Sequence, residues 1–202
     1  MIQNLQLEAH ALGALFYYGP SHDASKALFE AIAEASILEL LPDLPLEKWQ
    51  EALLKPDLST AWQASFYGPG YLAAPPWGSV YLDPEAVVFG ESLLELRDFL
   101  NNLNLHLTSD MNEPEDHFGL LLLLLAQLIA QQPESTSLPK AAEELLTQHL
   151  LPWSDHYLSC LATSAEHPFI QQLAKYTKLR LAAWSKDFNL EVAAKNIHWP
   201  PS

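Results

Sequence analysis

Cysteine is almost missing from this sequence. Cys160 stands alone among 202 residues, which excludes a disulfide framework or a thiolate zinc site within one chain. A reducing compartment is the natural setting. Basic residues are scarce too, with 10 Lys and Arg against 25 Asp and Glu and a formal charge of −15. No Lys/Arg stripe is available to displace the counterions of a nucleic acid. The acidic excess suits a cationic partner, although solubility alone would also explain it. The longest apolar stretch is interrupted by Gln127 and falls short of the roughly 20 residues that cross a bilayer. The opening Met1-Ile2-Gln3-Asn4-Leu5-Gln6-Leu7-Glu8 has neither a basic n-region nor an apolar h-region. No signal peptide is therefore expected, and the expected location is the cytoplasm. The phosphate-binding patterns G-x-G-x-x-G and the P-loop, the metal motif H-E-x-x-H and the nucleophile elbow G-x-S-x-G are also absent. The expectation is no catalytic residue and no metal ligand set.

Apolar residues make up 49% of the chain, enough for a real core, and the length fits one domain over 1–202. Helical spacing dominates. Leu5, Ala9, Leu12, Leu15 and Phe16 predict a first helix over 5–18. Gly19-Pro20 ends it, and Ser21 or Asp23 caps a second that carries Leu28, Ile32 and Ala35. Short helices follow over 46–54 and 59–67. The segment 68–90 holds Gly68-Pro69-Gly70 and Pro75-Pro76-Trp77-Gly78 and predicts a long Pro/Gly-rich loop, with 80–82 and 87–89 as short extended pieces. Ser92 caps the next helix. Pro139 opens another to about 151, Pro152-Trp153-Ser154 predicts a sharp break, and Ser154 or Asp155 starts the helix after it. His167-Pro168 begins the last one, and 189–202 reads as a loosely held tail. The fold class is all-α, a single-domain helical bundle.

The stretch around which this pattern turns is Asn112-Glu113-Pro114-Glu115-Asp116-His117-Phe118-Gly119, leading into the apolar run 120–126. It predicts a helix start, with Asn112 as cap, Glu115 completing a capping box and Pro114 in the first turn. An apolar body on every side predicts a buried central helix. Glu113, Glu115 and Asp116 would then lie at its N-terminus, and Glu113 and His117 on one face. Adjacent helical residues point about 100° apart, so Asp116 and His117 make no catalytic pair. By spacing alone they are a cap and a first-turn polar pair.

These motifs resemble, in order and over nearly the whole chain, the TorD/DmsD family of redox-enzyme maturation chaperones, nearest its DmsD branch. The resemblance rests on the Asn112–Gly119 stretch and on Pro75-Pro76-Trp77-Gly78-Ser79-Val80-Tyr81-Leu82-Asp83. Leu12-Gly13-Ala14-Leu15-Phe16-Tyr17-Tyr18, Phe89-Gly90-Glu91-Ser92, Leu151-Pro152-Trp153-Ser154 and Ala165-Glu166-His167-Pro168-Phe169 support it. Tyr81 stands where Trp is usual, and Pro84 where a basic residue often follows. The resemblance implies a non-enzymatic cytoplasmic chaperone of the TorD-like helical fold. Such a protein binds the twin-arginine signal peptide of a molybdopterin-containing reductase, typically the dimethyl sulfoxide reductase catalytic subunit. It holds that precursor back from the Tat export machinery until cofactor is loaded. By position, Glu113, Pro114, Asp116, His117, Pro76 and Trp77 inherit peptide binding. Chemistry adds Glu115 as a partner for guanidinium groups. Trp77, Tyr81 and Phe16 or Tyr17 are expected to line an aromatic groove for the apolar part of the leader. No cofactor is expected. Monomer and dimer stay open, and the alternative is a weak GTP-binding protein or GTPase using the same Glu-Pro-x-Asp-His turn.

Overall fold

Two helices approach so closely that neither tolerates a side chain at the crossing. In the computed structural model, which describes residues 1–67, 71–106 and 113–200, these are α1 (Ile2–Tyr17) and α7 (Phe118–Ala130). A Cβ on Gly13 would lie 2.9 Å from the Leu123 backbone nitrogen. One on Gly119 would lie 2.8 Å from both the Cβ and the backbone nitrogen of Tyr17. The apolar α7 is buried along nearly its whole length, which is why its sequence shows no polar face.

Around this pair the other helices close the core. Between them come α2 (Asp23–Ala33), α3 (Leu46–Leu53), α4 (Leu58–Phe66), α5 (Gly78–Leu82) and α6 (Glu91–Asn102). After α7 run α8 (Lys140–Glu144), α9 (Leu151–Ser164) and α10 (Pro168–Asp187). Trp49, Trp62, Phe66, Trp153, Tyr157 and Phe169 fill the interior. A polar link across it that sequence periodicity gives no hint of starts at Glu8, 2% exposed on α1. Its carboxylate accepts two bonds from Arg180 and a third, at 2.8 Å, from the Trp184 indole. That bidentate geometry pins α1 to α10. The all-α expectation holds, and among the described residues the one β feature is an isolated bridge between Trp77 and His117.

Several local expectations are corrected. The central helix begins at Phe118, with His117 as its cap. Glu113 to Asp116 therefore form a turn before the helix, and Pro114 is not in its first turn. The Asn112 cap lies outside the described residues. The long loop is interrupted by α5, so Val80, Tyr81 and Leu82 are helical rather than extended. No break occurs at Pro152. The chain passes from α8 through a π-helical turn, Leu145–Leu150, directly into α9. In that wider register the carbonyl facing the missing N–H of Pro152 is that of Thr147. The backbone N–H of Ala193 donates to it at 3.0 Å, and the Trp153 indole donates to the His149 carbonyl at 2.8 Å.

The Ala193 bond is one of several that tie the last described residues to the body. Lys195 pairs with Glu95 of α6 at 2.8 Å, the His198 N–H donates to the Tyr81 carbonyl at 2.8 Å, and the Trp199 indole donates to the Ala73 carbonyl. A stretch without secondary structure is thus fixed by partners far away in sequence, which compositional reading does not reveal.

The α1/α7 crossing makes a direct prediction. Gly119→Ala forces a methyl into backbone, and overpacking of this kind costs about 1–3 kcal/mol. Urea denaturation should show a lower midpoint with an unchanged slope.

Candidate functional site

Pro75 and Pro76 fix an extended backbone, and residues 76–78 lie antiparallel to residues 116–118 at the start of α7. The Phe118 N–H donates to the Pro76 carbonyl at 2.7 Å, and the Gly78 N–H donates to the Asp116 carbonyl at 3.2 Å. Trp77 and His117 face each other in the bridge between these bonds. The Asp116 side chain continues the link, since its Oδ2 accepts from the Ser79 backbone N–H at 2.7 Å. It thereby caps α5 from a distant part of the chain, as an N-cap residue would locally. Gly78 is required here, because a Cβ would stand 2.9 Å from the Trp153 indole nitrogen.

Asp116 is buried, and its Oδ1 has no hydrogen-bond partner among the described residues. Burial pushes its carboxyl above the usual range, against the opposing bonds from Ser79. His117 is fully buried. Its Nδ1 accepts from the Gly119 N–H at 3.1 Å, so the proton of the neutral ring belongs on Nε2. Burial brings its pKa down to about 3. Three rings surround it, with centroids at 5.2 Å (Tyr17), 6.3 Å (Trp77) and 6.4 Å (Tyr67, nearly parallel).

The rim is more open. Trp77 is half-buried and donates its indole N–H to Glu113 at 3.1 Å. Burial raises the Glu113 carboxyl, with the Trp77 bond working the other way. Glu115 is held by Arg97 of α6 through two bonds, at 3.0 and 2.8 Å. Burial would raise its carboxyl, but the Arg97 bonds and charge together with a backbone N–H outweigh it, and the net shift is downward. Tyr67 and Tyr18 complete the rim as half-buried rings, and Tyr18 stacks on His22 at 4.5 Å. The Tyr67 hydroxyl donates to the Tyr17 carbonyl, and burial raises its pKa.

The structure thus brings Glu113, Pro114, Glu115, Asp116 and His117 together with Pro76 and Trp77. It does not bring the expected aromatic groove to the surface. Tyr81 is sealed against Trp153, with ring centroids 5.3 Å apart. Phe16 packs on Phe118 at 4.7 Å, and Tyr17 is covered as well. All three belong to helices whose inward faces build the core. Nor are the carboxylates equivalent: Asp116 caps α5, Glu115 is paired with Arg97, and Glu113 lies on the aromatic rim, bonded to Trp77. Sequence reasoning missed Tyr67, Tyr18, Ser79 and Arg97. Tyr67 was legible only as the end of a helix, and nothing local links Arg97 to Glu115.

Comparison with known proteins now places the chain. A model of the family described as "Nitrate reductase delta subunit" matches residues 25–159. The chain is 38% identical to the Tat proofreading chaperone DmsD of Salmonella typhimurium, over 94% of this chain and 93% of that protein. It is 35% identical to the probable Tat proofreading chaperone DmsD of Haemophilus influenzae, over 95% of each. A putative redox enzyme maturation protein from Archaeoglobus fulgidus shares the fold, with a TM-score of 0.50 at 18% identity over 88% of this chain and 94% of that one.

Neutral His117 yields a prediction with a definite sign. Its folded pKa lies below its unfolded value near 6.5, so the unfolded chain takes up the proton first. The stability from this group is complete above pH 6.5 and is lost as pH falls toward 3, by up to about 1.4 kcal/mol per pH unit. His117→Asn keeps a capping side chain and should flatten the fall in unfolding free energy between pH 7 and 5. An unchanged slope would place the acid sensitivity elsewhere.

With the ordered motifs, the helical fold and relatives aligned over almost the full length, the chain belongs to the TorD/DmsD family of redox-enzyme maturation chaperones.

Proposed function

We propose that this chaperone binds the twin-arginine signal peptide of a molybdopterin-containing reductase precursor. The client is taken to be the dimethyl sulfoxide reductase catalytic subunit, retained in the cytoplasm until its cofactor is in place. The observation that carries this reading is the Trp77–Glu113 hydrogen bond on the rim beside His117. A guanidinium lies favourably over an aromatic face and against a carboxylate at once. Trp77, Tyr67 and Tyr18 present half-exposed rings, and Glu113 supplies the charge. The apolar continuation of a leader peptide would use the same rings. A net charge of −15 draws a basic peptide toward this surface from a distance and makes the encounter sensitive to salt. The names of the Salmonella and Haemophilus relatives, both Tat proofreading chaperones, agree with it.

In this reading Asp116 and His117 act as positioning residues. They are buried, and they hold the 76–78 segment and the start of α7 in register so that Trp77 reaches Glu113.

Calorimetric titration of a synthetic twin-arginine leader peptide tests the assignment. Trp77→Ala and Glu113→Gln should each weaken binding by about tenfold, the range expected of a central interface side chain. Replacing Arg-Arg by Lys-Lys in the peptide should weaken it too, because lysine lacks the planar fork. Equal affinity for both peptides together with full binding by Trp77→Ala would refute the site. The precursor that co-purifies from the native host would name the client.

A further inference from the structure

Between α5 and α6 the chain makes a knuckle that no part of the leader-binding reading uses. Asp83 closes it. Its carboxylate accepts from the backbone N–H of Ser92 at 3.2 Å and from the Ser92 hydroxyl at 2.6 Å. Gly90 sits so tightly on the Asp83 side chain that a Cβ there would overlap it. The residues inside this clamp are held in unusual backbone conformations, with Ala86 at φ 49° and Phe89 at φ 72°. L side chains rarely adopt that region, and for a bulky ring it is an outlier.

The clamp turns apolar groups outward. Val87 is 46% exposed, Phe89 64% and Leu94 56%. Phe89 and Leu94 occupy the positions just before the cap and in the first turn of α6, where a hydrophobic staple forms. A staple serves its helix by shielding its members from water, and these two remain largely in water. Glu85 and Glu91 lie within two residues of Val87 and Phe89 in the chain, Asp98 follows Leu94 by one helical turn, and all three are exposed. Cations that reach α6 are already neutralised, Arg97 by Glu115 and Lys195 by Glu95. The surface is therefore apolar at its centre and negative at its edge, a combination that disfavours anionic lipid and suits positive charge beside aliphatic side chains.

We propose that Val87, Phe89 and Leu94, with Glu85, Glu91 and Asp98, form a second docking surface, whose occupant is a basic amphipathic segment of a partner polypeptide. Phe89 is the anchor; the Asp83–Ser92 clamp closes the turn that carries it, so its backbone need not be ordered on binding. The proposal stands apart from the leader site and does not require it.

Fluorescence anisotropy with a labelled Leu/Lys dodecapeptide of amphipathic order tests it, alongside versions carrying Glu for Lys and Ser for Leu. The wild-type chain should bind the first and neither of the others. Phe89→Gly suits the backbone angle at that position, so it should keep its melting temperature yet bind about tenfold more weakly, as should Leu94→Ser. Glu91→Gln with Asp98→Asn should reduce the salt dependence. Wild-type affinity in Phe89→Gly and Leu94→Ser would overturn the proposal, and so would equal binding of the Glu-for-Lys peptide. A lowered melting temperature with unchanged affinity would identify the pair as a helix staple and also overturn it. Sedimentation showing a wild-type dimer that Phe89→Gly dissolves would assign the surface to a second copy of this chain instead.

Discussion

The antiparallel pairing of residues 76–78 with residues 116–118 is the constraint on which the candidate site depends. Two backbone hydrogen bonds would be a weak tie between segments nearly forty residues apart. The Asp116 carboxylate adds a third bond to the same neighbourhood by capping α5. It does so from a buried position, where an acceptor gains most from a well-placed donor and loses most without one. Because α7 starts within this pairing, at Phe118, the orientation of the buried central helix and the orientation of Trp77 are set by one local arrangement. A change in either would be felt by the other.

The acidic character of the chain looks uniform in composition and is not so in space. Glu8 lies in the interior and joins two helices through Arg180. Asp116 replaces a local cap, Glu115 anchors α6, and Asp83 clamps a turn. Four carboxylates are thus committed to holding the fold, while Glu113 shares the rim with aromatic rings. The general negative field can attract a basic ligand, whereas discrimination needs a carboxylate in fixed geometry beside a ring.

Much of this was legible in the sequence, for identifiable reasons. Helical spacing found α1, α6 and α10 within a few residues, because each presents a regular apolar stripe to the core. The featureless apolar run found α7. The ordered motifs picked out both stretches that the fold pairs at the candidate site. Two helix starts were less visible: α2 and α7 are capped by His22 and His117, each accepting through Nδ1, as His167 does for α10, whose start His167-Pro168 did mark. Histidine is outside the usual capping set, so the rule pointed to Asn112 for α7 and to Ser21 or Asp23 for α2 instead. Long-range partners were invisible for a different reason. The passage through Pro152 relies on a donor from residue 193, and α5 relies on an acceptor from residue 116. Composition marked both stretches as breaks, and only tertiary contacts make them helical. Burial misled in the opposite direction, since Tyr81 and Phe16 look like ligand-binding aromatics until the helices carrying them are seen to face inward.

The final extended segment carries a practical consequence. By bonding to the carbonyls of Tyr81 and Ala73, residues 198 and 199 brace the very loop that presents Trp77. Polypeptide joined to this end of the chain, such as an affinity handle or a fluorescent reporter, would load this brace. Handles placed at the other end of the chain, ahead of α1, would leave the brace untouched.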